Sequence, residues 1–320
     1  MITGVNYYNV MQDSPFFKYI HNNPSDNRLF IVFGVKGTKP GAFAFYRTFC
    51  SLNINVLFIA PDQDNWYHNG LPDIGNNLTS LCEGLDNIIN ELCDRYDFKS
   101  IKLFGSSMGG YLSLVYLELS NVKVPLSALV LGTETKLNLP SSYSEKSGYE
   151  YDETFIDLKT RTFRNRDVDM VYGEFDIVDS YCALRMKELK NFKIKSHRFS
   201  GHIVPKTLEE TIGMKTFIND YNDGVNCFIG MGHMTDFLDA KDLEPLIFES
   251  KNSSAYIDAL LLCLKKYPAF GWGWNRYGVY LHNKGLLSES KFALERSLLV
   301  NPFSKNSAEH LSSVVEKLAS

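Results

Sequence analysis

Residues 99–119 read KSIKLFGSSMGGYLSLVYLEL. Ile101, Lys102, Leu103 and Phe104 have the composition of a short strand. From Met108 onward the apolar residues Leu112, Val115, Tyr116 and Leu119 recur at helical spacing. Gly105-Ser106-Ser107-Met108-Gly109 stands between them, a G-x-S-x-G joining strand to helix. The spacing has a steric meaning. A serine on a tight, strained turn projects its hydroxyl from the sheet edge, and the residues two before and two after it approach neighbouring chain so closely that a Cβ would clash. The following helix N-terminus favours developing negative charge beside the hydroxyl. Gly and Ser are also common in ordinary turns, so the flanking strand and helix decide the reading. Ser107 is chosen over Ser106 because it has the glycines at both required positions.

Working outward, strands and helices alternate. Residues 28–34 (RLFIVFG) form a continuous apolar run, as expected of a strand buried on both faces. A basic, glycine-rich loop over 34–41 follows, then a helix predicted over 42–52 and a strand over 55–60. That strand ends in the polar loop 61–68 (PDQDNWYH), where ligand-facing loops lie in parallel sheets. Leu81, Leu85, Ile88, Ile89 and Leu92 predict a helix over 78–96. Beyond the elbow come a strand over 126–131, a long insertion over about 133–167 read as a lid, and a strand over 169–173. A helix over 178–189, a strand over 192–199 and a helix over 205–221 complete the series. The alternation predicts an α/β fold with a mainly parallel sheet covered on both faces. The catalytic domain is placed at 1–230.

The chain of 320 residues is 44% hydrophobic and 22% charged with net charge −4, ordinary for a globular protein. The charge gives no general attraction to nucleic acid or an anionic membrane. No apolar run reaches the roughly 20 residues of a membrane span. The first fourteen residues lack a basic segment followed by an apolar one, so no signal peptide is expected. The six cysteines, Cys50, Cys82, Cys93, Cys182, Cys227 and Cys263, show no CxxC or metal-like spacing and read as reduced thiols of a cytoplasmic protein.

A serine hydroxyl needs a base within hydrogen-bond reach and a carboxylate to orient that base. After an elbow the chain order is serine, acid, histidine. Gly173-Glu174-Phe175-Asp176 follows a predicted strand, so Asp176 is the expected acid. Asp179 is the alternative, more naturally a cap of the next helix. Ser200-Gly201-His202 follows the next strand, making His202 the expected base, ahead of His197 and His233. The oxyanion hole is expected from the backbone N–H of Met108 and of Val35 or Lys36. No HxH or HExxH spacing occurs, so no metal is expected. Lys36, Lys39, Arg161, Arg164 and Arg166 are either an anion-binding set or a solvated surface.

From about residue 232 the pattern turns all-helical, with helices over 256–267, 273–283, 288–300 and 306–319. Pro268 and Pro302 lie 34 residues apart. Trp274, Gly278, Leu281, Leu294 and Pro302 sit near the spacings of a tetratricopeptide repeat, so 231–320 is read as a TPR-like domain. Such repeats need neighbours to bury their faces. The region is therefore expected to pack on the catalytic domain or on another subunit, with a protein partner or self-association through it as the further expectation.

GSSMG, GEFD and SGH resemble the three motifs of the serine α/β-hydrolase superfamily across residues 28–221. GSSMGGYLSL and GEFDIVDSY are similar to bacterial capsule polysaccharide O-acetyltransferases of that fold, and to the hydrolase-like component of accessory secretion systems for glycosylated adhesins. The resemblance implies an α/β-hydrolase fold and an acetyl-enzyme on Ser107. It also implies acetyl-CoA as donor with no tightly bound cofactor, and a sugar hydroxyl of a polysaccharide as acceptor. Hydrolysis of a small-molecule or polysaccharide ester shares the same first half-reaction. A hydrolase-fold scaffold that binds a protein through its helical tail is the reading from a different class.

Overall fold

The computed structural model describes residues 7–163, 166–228, 231, 237–251 and 253–320. Its sheet has seven strands: β1 (Phe17–His21), β2 (Arg28–Phe33), β3 (Asn55–Ile59), β4 (Ser100–Ser106), β5 (Leu126–Leu131), β6 (Val168–Gly173) and β7 (Phe192–His197). They lie in the order β1-β3-β2-β4-β5-β6-β7. β1 is antiparallel to β3, and every other pair is parallel. β3 is buried along its whole length and β2 from Leu29 onward, as strands covered on both faces require. The polar exception, Asn55, donates its amide to the carbonyls of Asn23 and Asp26, each at 2.9 Å, so its burial leaves the amide nitrogen satisfied.

Helices cover both faces. Leu78–Tyr96, Met108–Leu119 and Ile177–Arg185 pack on one, and Tyr46–Cys50, Val204–Thr211 and Met214–Asn222 on the other. This is an α/β-hydrolase fold with its elbow on the central strand β4, followed by an all-α C-terminal region. That region holds the helices Ala240–Phe248, Ser254–Lys266, Gly271–Asn283, Leu287–Val300 and Lys305–Ala319.

Several expected boundaries move for local reasons. The helix expected over 42–52 forms only as Tyr46–Cys50, because Gly41 and Phe45 both adopt positive φ, 81° and 58°. The helix expected over 205–221 is two helices, broken at Gly213 with φ of 80°. The stretch before 28 supplies a helix, Tyr7–Asp13, and the edge strand β1. Ala240–Phe248, begun by an Asp239 side-chain cap, is a helix the apolar spacing did not reveal.

The tail packs on the sheet domain. Leu260, Phe270 and Trp272 belong to the same continuous core as Ile88, Tyr111 and Tyr172. Arg198 Nε donates to the Val300 carbonyl at 2.9 Å, and a Cβ on Gly271 would lie 2.6 Å from the Phe175 ring. Gly271–Asn283 and Leu287–Val300 pair closely through small residues. A Cβ on Gly278 would meet Leu294 Cγ at 2.7 Å, and Ser290 Oγ donates to the Gly278 carbonyl at 2.7 Å. The expected boundary at 230/231 falls beside residues 229, 230 and 232–236, outside the described residues. No helix among the described residues is long and apolar enough to cross a membrane.

Candidate active site

β4 ends at Ser106 and the helix begins at Met108, so Ser107 alone turns the chain. Its φ of 50° and ψ of −121° are costly for a residue with a side chain, about 1–3 kcal/mol. The surrounding backbone imposes them. Ser107 N–H donates to the Leu131 carbonyl at 3.0 Å, and Tyr111 N–H donates to the Ser107 carbonyl at 3.0 Å. A Cβ on Gly105 would lie 2.2 Å from the Gly109 carbonyl oxygen. One on Gly109 would lie 2.5 Å from the Phe33 oxygen at the end of β2.

His202 enters from the loop after β7. Gly132 follows β5 with φ of 53°, and a Cβ there would lie 2.4 Å from the His202 carbonyl. Gly173 ends β6, where a Cβ would lie 2.1 Å from the Gly201 carbonyl. These glycines open the space through which the histidine loop reaches the serine. His202 Nε2 is 2.9 Å from Ser107 Oγ.

The carboxylate behind the histidine is Asp179. Its Oδ2 and Oδ1 lie 2.9 and 3.1 Å from His202 Nδ1. The expectation of Asp176 is corrected here. Asp176 is the N-cap of Ile177–Arg185, and its Oδ1 accepts the N–H groups of Val178 at 2.9 Å and Asp179 at 3.0 Å. Asp179 lies in the first turn, on the buried side of the helix, with a side chain 1% exposed. The roles of the two aspartates are thus the reverse of those expected: the cap is the first, the imidazole partner the second.

Burial pushes the Asp179 carboxyl up, opposed by the facing imidazole. Burial also works against a charged His202, but the Asp179 carboxylate outweighs it and holds the imidazole up to about 9. The pair therefore binds a proton above the ordinary histidine range. Asp176, Asp179 and His202 form a group whose donor atoms lie within 4.8 Å of one another. Their atoms are already engaged, Asp179 with the imidazole and Asp176 with two backbone N–H groups. A metal bound through His202 Nδ1 would displace the Asp179–imidazole contact.

Met108 N–H is at the first position of its helix and has no intrahelical acceptor. The loop after β2 runs beside it because of the Gly109–Phe33 contact. Gly34 N–H is taken by the Ile59 carbonyl at 2.7 Å, whereas among the described residues the N–H groups of Val35 and Lys36 bond to no other protein group. Tyr67 Oη donates to the Gly34 carbonyl at 3.1 Å and braces this loop from below. Within the loop 61–68, Trp66, Tyr67 and His68 are buried struts, whereas Asp62, Gln63 and Asp64 are exposed.

The insertion brings two residues that sequence reasoning missed. The Tyr143 ring stacks on His202 with centroids 3.9 Å apart and planes at 21°. Glu134, 1% exposed, accepts the N–H groups of Tyr143 at 2.6 Å and Ser144 at 3.2 Å. Burial raises the Glu134 carboxyl, countered by the Ser144 and Tyr143 hydrogen bonds. A buried glutamate just past a glycine-terminated strand was the one available signal. Three basic residues of the insertion turn elsewhere, whereas Lys146 lies over the Tyr143 ring at 5.1 Å. Arg161 pairs with Glu118 at 3.0 Å, Lys159 with Glu188 at 2.7 Å, and Arg166 donates to the Ser120 carbonyl at 2.8 Å. Lys36 lies over the Trp66 ring at 5.6 Å. His197 takes no part in the contacts around Ser107. Arg164 and His233 lie outside the described residues.

No protein-family model matches the chain, and no curated protein sequence matches it. Solved structures do show likeness. An esterase of Pyrococcus furiosus has a TM-score of 0.46 at 14% identity, over 65% of this chain and 87% of that one. A lipase-esterase related protein from Clostridium acetobutylicum gives 0.42 at 15% identity, over 62% and 98%. Alpha/beta hydrolase domain-containing protein 10 from mouse gives 0.42 at 17% identity, over 65% and 93%.

Proposed function

We propose that the chain is a serine acyl-transfer enzyme, an esterase or O-acyltransferase working through Ser107, His202 and Asp179. One observation carries this reading. A strained serine and a buried carboxylate lie on the two ring nitrogens of one histidine, each at 2.9 Å. In the first half-reaction His202 Nε2 takes the Ser107 proton as Oγ attacks an ester or thioester carbonyl. Asp179 holds the Nδ1–H tautomer and stabilises the imidazolium. The tetrahedral oxyanion accepts hydrogen bonds from Met108 N–H and from Val35 or Lys36 N–H. Collapse expels the alcohol or thiol, which leaves with the proton from His202, and the acyl group stays on Ser107. Water or a hydroxyl acceptor then gives up its proton to His202 and attacks the acyl-serine; the acyl–Oγ bond breaks, Ser107 Oγ takes the proton back from His202, and the acid or new ester leaves.

Within this reading a carbohydrate hydroxyl is the favoured acceptor and acetyl the favoured acyl group, with acetyl-CoA as donor. The motif resemblance supports that choice. So does Tyr143, whose ring covers one face of the imidazole and narrows the approach of bulk water to the acyl-enzyme.

Intact-mass measurement after incubation with a fluorophosphonate, and separately with acetyl-CoA, tests the proposal. Wild type is expected to gain a single phosphonyl adduct, and Ser107→Ala none. A mass gain of one acetyl group from acetyl-CoA supports the transferase form. A fluorophosphonate adduct without acetylation leaves the esterase form. No adduct with either reagent overturns the proposal in favour of a binding scaffold.

A further inference from the structure

The helical tail carries a feature the serine chemistry does not use. On Gly271–Asn283 and its C-cap, Trp272, Arg276, Tyr280 and Lys284 follow one another at four-residue intervals, a single helix face. Each cation rests on the ring one turn before it. The Arg276 guanidinium lies 5.3 Å from the Trp272 ring centre, and the Lys284 ammonium 5.6 Å from that of Tyr280. Stacking of this kind fixes the direction of otherwise flexible side chains. Lys251 reaches in from the opposite side, its Nζ donating to Ser141 Oγ at 3.1 Å. Lys251, Arg276 and Lys284, with Tyr256, Tyr280 and Asn283, surround a hollow of about 400 Å³.

Lys159, Arg161, Arg185 and Lys266 each pair with a carboxylate, but among the described residues Lys251, Arg276 and Lys284 form no ion pair. Burial, then the charges of Arg276 and Lys146, push the Lys251 ammonium below its ordinary range, while Glu145 acts in the other direction. Like charges gathered around a concave space with few counter-charges leave an anion as the natural complement.

We propose that this hollow binds a phosphate-type oxyanion, free or carried as an ester on a small organic molecule. The Arg276 fork offers two parallel N–H donors to oxygen, Lys251 and Lys284 add point charges, and Asn283 adds an amide. The Tyr256 and Tyr280 rings supply an apolar wall for whatever carries the phosphate. The site sits at the edge of the segment that covers the histidine, since Ser141 stands two residues before Tyr143. It does not depend on Ser107 acting as a nucleophile.

Binding of sodium phosphate and of phenyl phosphate, measured by calorimetry at pH 8 on the full chain against sodium chloride of equal ionic strength, tests the site. Saturable binding at one site is expected. It should weaken about tenfold or more in Arg276→Gln/Lys284→Gln, as loss of charge-assisted hydrogen bonds implies. Lys251→Met should weaken it in the same direction. Lys215→Gln, on the helix Met214–Asn222, should leave it unchanged, and so should Ser107→Ala. Tighter binding of phenyl phosphate identifies an organic ester as the occupant, and equal binding identifies the free anion. The proposal is overturned if neither compound binds beyond the chloride control, or if the double variant and Lys251→Met bind like wild type.

Discussion

The elbow and the insertion meet over the same histidine, yet they are held by different means. The elbow is backbone against backbone: Gly105 on Gly109, Gly109 on Phe33, Ser107 N–H on the Leu131 carbonyl. The insertion is held by side chains from distant parts of the chain. Tyr111 Oη donates to the Phe155 carbonyl at 2.8 Å, and Asp152 N–H donates to His68 Nδ1 at 3.2 Å. Glu134 fastens Tyr143, and Lys251 reaches Ser141 from the tail. The geometry at Ser107 is therefore set by the backbone of the sheet itself, whereas the shape of its cover depends on side chains drawn from several parts of the molecule.

Substitutions can break or sharpen that contrast. Ser107→Ala should remove about 10⁴-fold or more of esterase turnover while leaving the melting temperature near wild type, because the backbone contacts persist. Asp179→Asn should cost about 10⁴-fold in kcat by spoiling the histidine tautomer. Asp176→Asn should keep activity, since asparagine caps as well as aspartate, and Asp176→Ala should cost about 1 kcal/mol of stability by denaturant unfolding. A large kcat loss in Asp176→Asn instead of Asp179→Asn would return the acid role to position 176.

Gly109→Ala tests the elbow side. Its Cβ would press on the Phe33 carbonyl and displace an oxyanion donor, an expected loss of about 10²–10³ in kcat with little change in KM. A pH profile tests the pair behind the serine. His202 is held up to about 9 and must be neutral to accept the proton. The acylation rate should therefore climb about tenfold per pH unit above neutrality and level near that value. Asp179→Asn should shift the rise to lower pH, since the carboxylate that holds the proton is gone. The smallest effect belongs to the cover. Tyr143→Ala should change the ratio of hydrolysis to transfer by about threefold to tenfold, read from product analysis with an added alcohol acceptor.

These contrasts explain what could be read from the sequence. The elbow was legible because steric necessity concentrates glycines within five residues. The sheet was legible because strands buried on both faces leave unbroken apolar runs, as at 29–33 and 56–59. The acid was misread through a shift of one residue. A helix beginning at Val178 leaves Asp176 free in a loop, whereas the helix begins at Ile177 and makes Asp176 its cap. The insertion was opaque for a different reason. Its polar composition conceals Tyr151, Phe155, Leu158 and Phe163, which are buried against elements far away in sequence. No local periodicity encodes such contacts, nor the placing of Tyr143 on His202.

The Gly109–Phe33 contact has a further consequence. Met108 precedes Gly109, and Gly34 and Val35 follow Phe33, so this one touching pair works as a gauge block between the two arms of the proposed oxyanion hole. The spacing is set by backbone atoms, with Tyr67 bracing the Gly34 carbonyl behind them. On the proposed reading, substitutions elsewhere around the mouth would change which acyl group and acceptor are taken, while the spacing of Met108 from the loop after β2 stays the same. The fold thereby separates the part of its chemistry that can drift from the part that cannot.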